Sequence, residues 1–179
     1  MAFRFGSDPD EMCYPFLYEP GWLCDFEIVT DELCGHLGAV LAALPSGCAD
    51  IAADLDALQP LAFHLNGSIR GRLAVEEEDL ARVHACLARY KAEVEGRVEG
   101  FVLPRGDAPV PQLHLARSAC KKAIRLMVRI AEDGRPVSPR LPRLCNLLCN
   151  LLFTLTLVIN ARRGQPETPF HSKSYGRRG

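Results

Sequence analysis

Four basic side chains recur along the stretch LHLARSACKKAIRLMVRIAEDG, residues 113–134: His114, Arg117, Lys121 and Arg125. Their spacings of 3, 4 and 4 stack them on one face if the stretch is helical. Like charges one turn apart repel unless an anion or an acidic group lies between them. Such a row is either a solvated face or a clamp for a phosphate or carboxylate. Beside it runs an apolar row, Ala116, Cys120, Ala123, Met127 and Ile130, and Leu113, Leu115, Ala119, Ile124 and Val128 leave little of the helix to be wet. Buried cations need partners. The acidic candidate is Asp31, with Glu32 beside it in the segment TDEL. A bridge from Asp31 to Arg117 would hold the guanidinium in one rotamer and leave its other donors free. Periodicity leaves the wet face and the clamp both open.

The elements that must position these residues read as helices. From Asp25 to Leu44, Ile28, Leu33, Leu37, Val40 and Leu44 recur at helical spacing, and PSG at 45–47 stops the run. A second helix is expected over 48–69, with Ile51, Leu55, Leu58, Leu61, Phe63 and Leu65 apolar and Pro60 placed to kink or split it. A third spans 75–95, with Leu80, Val83, Leu87, Tyr90 and Val94 on one face and acids at the positive end of its dipole. A long connection with three prolines and three glycines covers 96–112. The fourth helix is the opening stretch, and the fifth runs over 139–162. Five helices with few strand signals predict an all-α fold, a five-helix up-down bundle. Residues 1–25 read as an irregular arm, 26–162 as the bundle and 163–179 as a flexible tail.

The bulk composition narrows the function. A formal net charge of −1 lacks the basic footprint of a nucleic-acid binder, although a local anion site remains possible. The N-terminus carries acids where a secretory signal needs an apolar core, so no signal is read and a cytoplasmic location is expected. Eight cysteines without a CxxC pair read as reduced, small apolar side chains, and no metal site is assigned. The apolar run 144–159 is shorter than the roughly 20 residues a membrane span needs and carries Asn146 and Asn150, so it reads as a buried core helix.

Four segments in order resemble the PduO-type ATP:cob(I)alamin adenosyltransferases. FEIVTDELCGHLGAVLAAL is similar to the family's first-helix segment around its own DEL. FVLPRG resembles FILPGG, LHLARSACKKAIR resembles LHVARTVCRRAER, and RLCNLLCNLLFTLTLVIN resembles FLNRLSDYLFVLARYAN. This resemblance implies a homotrimer with active sites between adjacent subunits, which transfers the 5′-deoxyadenosyl group of ATP to the cobalt of cob(I)alamin with Mg2+ present. It implies that Asp31 pairs with Arg117, that Lys121 with Lys122 meets the nucleotide, and that Asn146 contacts it. It also implies that Phe101 presses on the lower face of the corrin, where a ring fills the axial volume without donating a lone pair. Phe170 and His171 could fold over a corrin edge. The chain departs from the family where TKTGD.GTT should form a phosphate loop. Here the arm reads FRFGSDPDEM, with Ser7 and Asp8 as its candidates, and backbone N–H groups could still cradle phosphate. Lys121 stands for an Arg, Ile124 for a Glu, Leu147 and Asn150 for an Arg and an Asp, and Arg105 for a Gly. A second reading stays open: a non-catalytic relative that binds corrinoid or nucleotide as a carrier, sensor or partner protein.

Overall fold

The computed structural model describes residues 8–174. Five helices form it: α1 (Leu23–Ala43), α2 (Ala49–Ser68), α3 (Glu77–Glu93), α4 (Val110–Glu132) and α5 (Arg140–Arg162). A two-stranded antiparallel ribbon joins β1 (Phe101–Val102) to β2 (Pro169–Phe170). Helix α1 packs on α2 and α4, and α5 packs on α4 and α3. Side-chain contacts set the directions. Asn66 near the end of α2 donates to the Glu27 carbonyl near the start of α1 (2.7 Å), so α1 and α2 are antiparallel. Arg140 bonds Glu76 (2.9 Å) and Arg162 bonds Glu93 (2.8 Å), which joins like ends of α3 and α5 and makes them parallel. The bundle is the up-down arrangement the helical pattern predicts.

The apolar stripes are buried where periodicity places them. On α3, Leu80, Val83, Leu87 and Tyr90 are all buried, and on α4 so are Ala116, Cys120, Ala123, Met127 and Ile130. Two residues of apolar type depart from expectation. Ile28 is 47% exposed, because Phe26 and Thr30 take the inward positions of α1, and Phe63 is 55% exposed on the outside of α2. Pro60 does not split α2, which runs unbroken through it. Pro60 and Asp56 both lie on the exposed side, where water can take the hydrogen bond the ring denies to the Asp56 carbonyl. The start of α3 is a capping box, with the Glu76 amide donating to Asp79 (2.9 Å). All eight cysteines are free, and six are buried in the small apolar role. Helix α5 is long and apolar enough by length and composition to cross a bilayer, yet 72% of its most apolar stretch is buried inside the bundle, as a core helix requires.

Polar clasps fix the ends. Arg70, after α2, grips both Glu27 oxygens (2.7 and 2.9 Å) and Glu19 (2.7 Å) and lies 4.3 Å over the Phe16 ring, which pins the N-terminal arm to α1. Arg162 grips both Asp50 oxygens (2.7 and 2.7 Å) and both Glu93 oxygens (2.8 and 2.9 Å), which ties α5 to α2 and α3. That grip holds the Asp50 carboxyl down at about 2, below its usual value of 3.8. The stability it supplies is complete above pH 3.8 and is lost as pH falls through 2. Arg162→Met should therefore lower the melting temperature by about 3–6 °C at pH 7, the scale of roughly 1–2 kcal/mol in a chain of this size. It should also return the Asp50 titration, followed by NMR, toward the ordinary carboxylate range.

Candidate active site

Helix α4 presents the basic row, but its members differ. His114 is only 9% exposed and its ring lies 6.5 Å from that of Phe153. Burial, helped by the Arg117 charge, pushes its pKa down from 6.5 to about 4. His114 is therefore neutral at pH 7, and the row has three cations, not four. Unfolded chain takes up a proton between pH 6.5 and 4 that the folded chain refuses, so stability falls as pH drops through this window. The loss should reach up to about 3 kcal/mol. Urea unfolding at pH 7, 5.5 and 4.5 checks it: His114→Phe should show the shallower decline, and equal slopes would rule the burial out as the cause.

Arg117 is half-buried with its guanidinium 5.1 Å from the centre of the Phe153 ring. Its Nε is enclosed and has no acceptor. No hydrogen bond or ion pair joins it to Asp31 within the chain among the described residues, and Asp31 is exposed on α1. Lys121, one turn on, is exposed. Lys122 is engaged with Glu32 (3.2 Å), which also lies 3.6 Å from His36. Lys121, Lys122 and Arg125 edge a cavity of about 540 Å³ floored by Ile28, Val29 and Leu126, between α1 and α4.

Helix α5 supplies the facing wall. It runs antiparallel to α4, so Phe153 meets Arg117 and the preceding turn, Cys149, falls beside Lys121. The charges of Lys121 and Arg117 both act on the Cys149 thiol, although burial outweighs them and its pKa is raised. Asn146, one turn further back, is exposed and donates to the Pro142 carbonyl (2.9 Å). The structure thus brings Arg117 and Lys121 together on α4, with Asn146 farther along the facing helix. No hydrogen bond or ion pair joins Asp8 to them among the described residues. Asp8 is exposed and caps a short turn by accepting from the Asp10 amide (3.0 Å). Ser7 lies outside the described residues. Phe153 and Cys149 are the residues that reading the basic row alone misses; the spacing of three and seven from Asn146 was their only signal.

Phe101 stands 67% exposed on β1, directly opposite Phe170 of β2, itself 45% exposed. Facing positions of a ribbon put their side chains on one side. The Leu103 amide closes the ribbon by donating to the Thr168 carbonyl (2.8 Å). The tail beyond α5 therefore adds a second aromatic ring beside Phe101. A cleft of about 590 Å³ runs between Gly100, immediately before Phe101, and Phe153, with Val94, Val98 and Leu157 along its wall. Gly106 holds the loop that returns to α4. Its φ is +147°, and a Cβ there would stand 2.8 Å from both the Asn160 side chain and Val110, so only glycine fits.

This arrangement combines a guanidinium and an ammonium without ion-pair partners among the described residues, which suit an anionic group, with exposed aromatic rings, which suit a flat apolar face. The chain as a whole is similar to known proteins. Residues 29–159 match the family model described as cobalamin adenosyltransferase. The chain is 34% identical over 137 residues to a cobalamin adenosyltransferase of Cupriavidus metallidurans, covering 75% of this chain and 72% of that protein. It is 28% identical over 141 residues to the corrinoid adenosyltransferase of Bacillus subtilis, with 75% and 72% covered. Among solved structures it is similar to variants of a PduO-type ATP:corrinoid adenosyltransferase from Lactobacillus reuteri. One, in complex with ATP, gives a TM-score of 0.74 at 20% identity over 87% of this chain and 90% of that one. Another, in complex with cobalamin and ATP, gives 0.77 at 20% identity over 87% of both. At that identity the structures speak for the fold alone. The family-model match over most of the chain and the 34% identical relative carry the conclusion: this protein belongs to the cobalamin adenosyltransferase family.

Proposed function

We propose that the chain transfers the 5′-deoxyadenosyl group of ATP to the cobalt of cob(I)alamin. The cobalt attacks C5′, a Co–C bond forms, the C5′–O bond breaks, and triphosphate leaves with the bonding electron pair. Cob(I)alamin is itself the nucleophile, so the protein's work is orientation and charge stabilisation. The observation that carries this reading is Arg117: a half-buried guanidinium, in the segment that matches the family, with no acid paired to it among the described residues.

Arg117 and Lys121 would stabilise the charge that grows on the leaving triphosphate, and Asn146 and Lys122 would orient the nucleotide. Lys122 would have to leave Glu32 to do so. Among the described residues no group of three or more His, Cys, Asp or Glu side chains is placed to hold a metal. A magnesium ion would therefore travel on the triphosphate oxygens and water rather than in a protein cage. Phe101, with Phe170 beside it, would meet the lower face of the corrin. The exposed Asp31 and the unpaired Arg117 fit a site shared between subunits, in which Asp31 of one copy of a homotrimer reaches Arg117 of the next.

The test is direct. Purified protein given cob(I)alamin, ATP and Mg2+ under reducing conditions should form adenosylcobalamin, read from its absorption spectrum. Corrinoid binding without product would instead support the carrier reading.

A further inference from the structure

We propose that Phe153 is a positioning residue for nucleotide binding: the face of its ring holds the Arg117 guanidinium in the orientation in which its free N–H donors meet an anion. The proposal rests on the reading of Arg117 as a triphosphate contact.

The guanidinium carbon lies 5.1 Å from the ring centroid, inside the reach of a cation–π contact. No carboxylate of the chain bonds Arg117 among the described residues, so within the chain the ring is what orients it. In the proposed assembly Asp31 of the next copy would take one edge of the guanidinium, while the aromatic face fixes its plane and leaves the remaining donors to an incoming phosphate. Only Nε of the guanidinium is enclosed, and the terminal nitrogens, which make no protein hydrogen bond among the described residues, are the part left to a ligand.

The ring itself is well placed to be rigid. Residues 151, 152 and 154–160 of α5 are buried around it. His114 lies 6.5 Å from the ring and burial keeps it neutral, so it does not compete with Arg117 for the ring at pH 7. Phe153 is half-exposed, and a leucine can take its place on α5 without a buried void.

The experiment compares full-length wild type with Phe153→Leu and Phe153→Trp. The first readout needs no ligand: the rate at which p-hydroxyphenylglyoxal modifies Arg117, followed by peptide mass spectrometry. Leucine should raise this rate several-fold, and tryptophan, which offers a larger face, should leave it near wild type. The second is the Kd for MgATP by calorimetry, which should rise roughly tenfold with leucine and stay within about twofold with tryptophan. The third is kcat at saturating ATP, which should change far less than KM. Unchanged Arg117 modification and unchanged ATP affinity in Phe153→Leu would overturn the proposal. So would a tryptophan variant as impaired as the leucine one, since that would make the effect one of shape and not of the ring face. A wild type that binds no ATP would defeat the function proposed above, and the modification rates would then judge the stacking alone. Should Phe153→Leu unfold, Phe153→Met supports the same comparison.

Discussion

Arg117→Ala should reduce the rate of adenosylcobalamin formation by roughly 10²–10³-fold, the cost of removing one preorganised donor from a developing anion. The protein should remain folded. The side chain contributes one ring contact and no ion pair among the described residues, and its enclosed Nε is an unsatisfied donor whose removal relieves the fold. The expected change in melting temperature is therefore small, about 2 °C or less in either direction. Arg117→Lys should recover only part of the rate, because an ammonium keeps the charge and loses the planar fork. Steady-state rates and thermal unfolding on the same samples decide the matter. A variant that unfolds would make Arg117 structural, and one with full activity would remove it from the site. The assay must also include Lys121→Ala, since in the proposed reaction the two cations would share the leaving-group charge. Lys121 is exposed, so its loss should cost less.

The helices were legible because their apolar periodicity is strong and their stops are chemical. On α3 every residue of the expected stripe within the helix is buried, and the acids at its start form its cap. Type alone misled at Ile28 and Phe63, where the pattern counts an apolar residue without knowing which side the neighbouring helix takes. The ribbon was illegible for a plainer reason: each strand has two residues, and 66 positions separate Val102 from Pro169, so no local pattern announces the pairing. The site divides the same way. Spacing put Arg117 and Lys121 on one face but could not choose between water and a ligand. Resemblance to a family made that choice. What neither could supply was the environment: the neutrality of His114 comes from burial, and the ring that Arg117 lies over belongs to a phenylalanine inside an apolar run that reads as core. Six buried cysteines, by contrast, behave as the plain reading of their type suggests.

Phe101→Ala should slow adenosyl transfer by roughly 10²-fold at saturating ATP while the Kd for ATP moves less than about threefold. The expectation follows from where the ring stands. Burying a phenyl group is worth about 1.5–3 kcal/mol, yet in the free chain Phe101 is 67% exposed on a two-residue strand. A ring left in water at a glycine-flanked turn gains its burial only when something apolar and flat covers it, and the corrin of the proposed reaction has that shape. Alanine would leave the lower axial volume open to water or to the corrinoid's own base. If such a ligand stabilises the unreactive corrinoid by about 3 kcal/mol, the rate falls about 10²-fold. In the proposed site ATP lies on the Arg117 side, so its affinity should be largely spared. Phe170→Ala should give a smaller loss in the same direction, because Phe170 faces Phe101 across the ribbon and supports the same platform. Neither change removes a core contact, so both variants should melt within about 2 °C of wild type. Equal effects of Phe101→Ala on ATP affinity and on the transfer step would sink the assignment, since a residue that acts on the cobalt alone has no reason to loosen the nucleotide.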